Sequence, residues 1–269
     1  LRECYQNAGF DDVRFVNEPD AAARAAGTAP GIGLIVDIGG GTSDFTLFED
    51  RDGAMNVLAS HGIRLGGTDF DRDLSFDKVM PLFGLGGELR NELGPGRHSV
   101  PRAVFHDLAS WEKIAFLYGP ATLRNARGMA RMAVDPVRLN RLVRVIENEI
   151  GHDVAFATEA AKIGANGADE AEVDLGLVEP GLRPVLTRAE LASVLFPSAQ
   201  AIRTAIDDTL ASAGIGADAV ARVIFVGGSS LLSVVEAEVR AALPEARAER
   251  SDVFTAVVRG LAYATADPV

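Results

Sequence analysis

The stretch Leu34–Phe48, LIVDIGGGTSDFTLF, constrains this chain more than any other. An apolar run enters Asp37, three consecutive glycines (Gly39, Gly40, Gly41) and Thr42 follow, and a second strand of alternating character leaves with Asp44. Without Cβ atoms, such a turn lets a ligand reach the backbone. Successive N–H groups there form a concave donor surface suited to phosphate. Asp37, at the strand end, stands beside that cradle. A carboxylate next to bound phosphate is repulsive unless a cation lies between them, and Mg²⁺, held by oxygen ligands and water, is the economical choice. A plain hairpin turn needs one or two glycines. Three glycines flanked by acids favour phosphate binding over a bare hairpin.

The 269 residues allow one large domain or two modest ones. A net charge of −12 argues against a nucleic-acid surface or an anionic-membrane surface, where Lys and Arg cluster. No apolar run has the length of a membrane span. The single cysteine, Cys4, excludes an internal disulfide framework and fits a reducing, cytoplasmic setting. The chain opens at Leu1 on what reads as a helix end, so a piece of a longer protein is expected.

Along the chain, a helix closes at Gly9, and Asp12 to Val16 reads as a short strand leading to Asn17-Glu18-Pro19 and a helix over 21–26. Glu18 either caps that helix or faces a cleft. Ile32 to Asp50 is the hairpin, and Met55 to His61 a third strand. Gly66 and Gly67 open a helix to Met80, as an anion site at a helix N-terminus or as an ordinary cap through Thr68 or Asp69. Pro81 to Pro101, with five glycines and three prolines, reads as loop. Ala103 to Tyr118 has helical spacing that places Trp111 in the core. Leu139, Leu142, Val143, Ile146 and Ile150 predict one helix over 136–165, or two broken near Gly151. His152 lies there without metal-like spacing. Glu159 and Lys162, three apart, form a solvated pair when taken alone. Strands at 172–178 and 182–186 flank the turn Glu179-Pro180-Gly181. Thr187 with Glu190 is a capping box for a helix to Ala213. The strand RVIFV ends in Gly227, Gly228 and Ser229, a helix follows, and Ser251-Asp252 caps a last helix over 253–265. Glycine groups at three junctions suit the crevice outside strand ends where α/β sheets bind ligands, and favour a nucleotide over a lone phosphate.

In order, VNEPDAAA, VDIGGGTSDF, RLGGTDFD, TEAAKIGAN and FVGGSS resemble the ATPase domain of the seventy-kilodalton heat-shock chaperones, the DnaK class of the actin-like superfamily. The resemblance spans about Phe15 to Ala264. MPLFGLGGE and the long insertion before Glu159 look closest to the YegD-like branch. The resemblance implies an α/β fold: an actin-like, ribonuclease-H-like ATPase lobe whose mixed sheet is flanked by helices, with an inserted α+β subdomain. It implies ATP or ADP with Mg²⁺. Asp37 matches the metal-associated aspartate, reached through water, and Glu18 and Asp44 match acids around the metal and the attacking water. Gly39, Gly40, Gly41 and Thr42 hold phosphates, and Gly66 and Gly67 give a second glycine contact. Glu159 and Lys162 close over adenosine, Gly227, Gly228 and Ser229 form the other side of that pocket, and Asp252 its distal edge. Leu231 stands where the family has an arginine, and Ala165-Asn166 lies where its serine is expected.

The same resemblance makes 1–30 a remnant of a first lobe with its crossover, 31–80 and 187–269 the core of the second lobe, and 81–186 the inserted helical and β-hairpin subdomain. The first lobe of the same protein is then a missing partner, alongside nucleotide and protein clients or co-chaperones, with no nucleic acid and no membrane. The implied function is a chaperone-type ATPase binding nucleotide in an interlobe cleft, with this chain alone weak or inactive. Two alternatives stay open: a non-hydrolysing, nucleotide-gated interaction module, and a kinase or filament protein of the same superfamily.

Overall fold

A computed structural model describes residues 1–11, 13, 15, 30–51, 54–250 and 262. The predicted strand at 12–16, the helices over 21–26 and 253–265, and the site residues Glu18 and Asp252 fall wholly or largely outside the described residues. In chain order the elements begin α1 (Arg2–Asn7), β1 (Gly31–Ile38), β2 (Ser43–Arg51), β3 (Ala54–Ile63), α2 (Gly67–Leu74), β4 (Glu88–Arg90) and β5 (Arg97–Ser99). They continue α3 (Ala103–Ala109), α4 (Pro120–Met132), α5 (Pro136–Glu147), α6 (Gly151–Gly167), β6 (Glu170–Glu172) and β7 (Val185–Thr187). The last are α7 (Arg188–Ala213), β8 (Val220–Val226), α8 (Ser233–Ala242) and β9 (Arg247–Arg250).

Internal contacts divide the chain into two compact units. The first comprises 1–64, 203–231 and 239–269, and the second 65–202 and 232–238. The first unit holds a five-stranded sheet in the order β3-β2-β1-β8-β9. β1, β2 and β3 form an antiparallel meander, while β8 and β9 run parallel to β1. The fold is therefore α/β, a mixed sheet flanked by helices with the strand arrangement of an actin-like ATPase lobe. Ile35, Phe48, Ile224 and Val226 form a buried cluster with Met55 against it. Arg222 Nη2 lies 3.1 Å from Asp50 Oδ2, a buried ion pair whose guanidinium sits 5.2 Å over the Phe48 ring.

Several elements of the second unit depart from the sequence expectation. The helix expected to reach Met80 is α2 followed by a π-helical turn, Ser75–Val79, and a 3₁₀ turn, Met80–Phe83. The region 81–101, expected as loop, contains the β4–β5 hairpin. The expected helix over 103–118 stops at Ser110, whose hydroxyl donates to the His106 carbonyl at 2.8 Å and whose backbone is extended. This i−4 back-bond competes with helix propagation. The 3₁₀ turn Trp111–Leu117 that follows rotates Trp111 off the core face, and it is 43% exposed. The predicted stripe over 136–165 forms two helices, α5 and α6, broken by Glu149 at φ +57. The hairpin predicted around 179–181 has a shorter ladder, 170–172 against 185–187. Pro184, which has no N–H to give, adjoins its end. Among the described residues no helix is long and apolar enough to cross a membrane.

Candidate functional site

In the first unit, the β1–β2 turn carries the glycine run. The Gly39 N–H donates to the Thr42 carbonyl at 2.9 Å and closes the turn. Cβ atoms added at Gly40 or Gly41 would meet nothing within 4 Å, so both face open space. Asp37 and Asp44 are direct partners in the antiparallel register, which puts both carboxylates on one face of the sheet. Like charges in that position are destabilising unless a cation is shared. Thr42 Oγ1 stands 3.5 Å from Asp44 Oδ2, the long limit of a hydrogen bond.

Two glycines make room for these acids. A Cβ at Gly62, on β3 opposite Asp44, would lie 2.8 Å from Asp44 Oδ1. Gly227, at the end of β8, has φ +81, and a Cβ there would stand 2.3 Å from the Ile38 carbonyl and 3.0 Å from Asp37 Oδ1. Gly227 thus brings the β8 turn against the strand end that carries Asp37. The turn Gly228–Leu231 is 3₁₀, with the Ser230 hydroxyl donating to the Gly227 carbonyl at 2.6 Å and Ser229 half-buried beside it. Of the residues singled out from the sequence, Asp37, Gly39, Gly40, Gly41, Thr42, Asp44, Gly227, Gly228 and Ser229 belong to this unit. Gly62 is not among them; a glycine inside a strand is the signal of close approach that marks it.

The donor set fits a hard divalent cation held partly by water and phosphate oxygens. Two carboxylates share a face beside an open glycine turn. Among the described residues no three His, Cys, Asp or Glu side chains form a metal cage by themselves. Mg²⁺ retains several waters and takes few protein ligands, so two carboxylates suffice.

Gly66, Gly67, Glu159 and Lys162 belong to the second unit. Gly66 and Gly67 are buried at the start of α2, and the Gly66 N–H donates to Asp69 Oδ2 at 3.0 Å. The capping alternative therefore holds for Gly66, since its donor is already taken. Lys162 departs further from the solvated pair read from its spacing. It is 5% exposed, and its ammonium lies 2.7 Å from Asp71 Oδ1 rather than extending to solvent beside Glu159. Burial raises the Asp71 carboxyl above its ordinary value, the Lys162 charge opposing that rise. Asp71 lies inside the RLGGTDFD motif yet carries no signal of its own in the sequence, because its partner arrives from a helix distant along the chain. Asn166 Oδ1 accepts from the Ser233 N–H at 2.7 Å and caps α8.

Comparison with known proteins is consistent with this geometry. A family model described as Hsp70 protein matches residues 1–80. The chaperone protein HscA of Pectobacterium atrosepticum is 27% identical over 236 residues, covering 86% of this chain and 28% of that protein. The chaperone protein DnaK of Thermoplasma acidophilum is 26% identical over 240 residues, 85% of this chain and 30% of that protein. An HscA homolog of Azotobacter vinelandii is 34% identical over 136 residues, 48% of this chain and 21% of that protein. The chain spans less than a third of the length of the curated relatives it matches. These matches support an Hsp70-type family for the chain.

Proposed function

We propose that this chain is a nucleotide-binding part of a DnaK-like chaperone ATPase, taking Mg-ATP or Mg-ADP by its phosphates at the β1–β2 turn. The observation that carries the reading is the pairing of Asp37 with Asp44 on one face beside an open glycine turn. Two carboxylates held together next to phosphate donors make sense when a cation neutralises them. Bound Mg²⁺ supplies charge neutralisation for carboxylates and phosphates together, the largest electrostatic requirement of phosphoryl chemistry. The chain's own contribution would be positioning: backbone N–H groups of the Gly39–Thr42 turn would meet the phosphates, Gly227 lets the β8 turn approach the strand end that carries Asp37, and Asp44 would orient water. Hydrolysis, protein clients and co-chaperones would belong to the whole protein, and of these the names of the relatives carry only the chaperone role.

Titration calorimetry of Mg-ADP into the chain tests the reading. The expected outcome is a dissociation constant in the micromolar range, on the order of −8 kcal/mol. Asp37→Asn is expected to weaken Mg-ADP while leaving metal-free ADP unchanged or tighter, because it removes both a metal partner and a repulsive charge. Absence of binding by the chain and by the full-length protein would sink the proposal. Equal binding with and without Mg²⁺ would remove the role given to the two aspartates.

A further inference from the structure

The second unit carries a charge pattern that phosphate binding does not use. Between Gly119 and Ile146 the sequence places Arg124, Arg127, Arg131, Arg138, Arg141 and Arg144 against a lone acid, Asp135, in a chain whose net charge is −12. The structure divides these arginines into two sets. Those on α5 are engaged within the fold. Arg138 Nε lies 3.3 Å from Asp135, Arg141 donates twice to Glu179 at 2.8 and 2.9 Å, and Arg144 donates to the Val178 carbonyl at 3.2 Å. On α4, Arg127 meets Glu147, whereas the guanidinium groups of Arg124 and Arg131 are exposed and have no acceptor among the described residues.

The spacing 124, 127, 131 sets the three arginines of α4 on one side of the helix, and the buried Ala126 and Ala130 on another. Like charges at those separations repel, and α4 has no acid of its own to offset them. Gly128 follows Arg124 by one turn on the same side. A glycine inside a helix weakens it, and no packing requires one here, since a Cβ at Gly128 would meet nothing within 4 Å. Its missing side chain leaves the backbone approachable between Arg124 and Arg131. Three guanidinium groups over two turns, about 10 Å of helix, beside a gap that admits another backbone, match a second helix that presents carboxylates with the same repeat. Nucleic acid fits less well, because a polyanion would meet only these three cations on a chain whose overall charge repels it.

We propose that the exposed side of α4 is a docking face for an acidic helix of a partner protein. Lying antiparallel, that helix pairs carboxylates at i, i+4 and i+7 with Arg131, Arg127 and Arg124, and its backbone closes on Gly128. The proposal is independent of the nucleotide reading, since α4 carries none of the residues given to the phosphate site.

The probe is a fluorescein-labelled, alanine-based helical peptide with glutamate at i, i+4 and i+7, compared with a peptide of the same composition whose glutamates are spread round the helix. Anisotropy is read as the chain is added. The striped peptide is expected to bind saturably and about tenfold tighter than the spread one, and to weaken as salt rises past about 0.15 M. Arg124→Gln combined with Arg131→Gln is expected to remove that preference at unchanged thermal stability, because neither guanidinium bonds within the described residues. Gly128→Leu is the sharper test. It raises helix propensity and its Cβ enters open space, so the fold is expected to hold while the striped peptide binds about tenfold more weakly. Equal binding of the two peptides, no binding of either, or a Gly128→Leu variant that binds as the parent does overturns the proposal. Tighter binding of an oligothymidylate of equal charge also overturns it, in favour of nucleic acid. Self-association of the chain that the two glutamine substitutions abolish overturns it in favour of a second copy.

Discussion

Lys162 brings a charge into a site that is 5% exposed, and its ion pair with Asp71 is what makes that burial tolerable. Removing one partner of such a pair strands the other. Lys162→Met is expected to cost about 3 kcal/mol at neutral pH, read as a lower urea midpoint with unchanged slope. The pH dependence has a definite sign. Burial raises Asp71, so ionising it disfavours the fold, and the cost grows as pH rises through its ordinary value and its folded one. Without Lys162 the carboxyl rises further. The loss in Lys162→Met is therefore expected to shrink toward about pH 4, where protonated Asp71 needs no cation. A loss that is constant with pH would assign the cost to packing. The sequence made Asp37, Asp44 and the glycine run legible because ligand chemistry there is local to one turn. It did not disclose the fate of Lys162, because the i,i+3 spacing to Glu159 is visible along one helix, whereas Asp71 comes from another.

The capping box at α7 shows an element read correctly from its termini. Thr187 Oγ1 accepts from the Glu190 N–H at 3.2 Å, and Glu190 Oε2 accepts from the Thr187 N–H at 3.0 Å. Lys78 Nζ reaches the other carboxylate oxygen of Glu190 at 2.9 Å. The Lys78 bond, followed by the Thr187 N–H and hydroxyl, holds Glu190 down at about 2. Its folded value lies below its unfolded one, so its stabilisation is full above about pH 4.5 and is lost as pH falls toward 2. Glu190→Gln is accordingly expected to bring the thermal stabilities of variant and parent together in that window, measured as Tm against pH. A difference that persists undiminished at about pH 2 would refute the assignment. Helices with strong stripes or caps, such as α5 and α7, announce themselves in this way. α4 does not, since only Ala126 and Ala130 are buried along it. The break before Trp111 was equally hidden, because Ser110 back-bonding depends on a side-chain rotamer and not on periodicity.

For the whole molecule, two compact units mean that stability need not be one number. A ligand at 100 times its dissociation constant stabilises whatever must open to release it by about 2.7 kcal/mol, roughly a hundredfold in hydrogen exchange. The turn amides behave differently from the helix amides. Gly39 is already bonded to Thr42, so new protection in this turn is expected at the amides beyond it, from acceptors on the ligand. Mg-ADP is therefore expected to slow exchange at Gly41 and Thr42 and in the Gly228–Leu231 turn. α4 and α5 carry none of the residues given to the phosphate site and serve as the internal reference. Protection confined to the turns is the signature of local phosphate binding. Protection spread evenly through α4 and α5 would mean that the two units open together and that ligand energy is distributed over both. Calorimetric binding with no new protection at either turn would place the ligand elsewhere, because an N–H that gains no new acceptor has no reason to exchange more slowly.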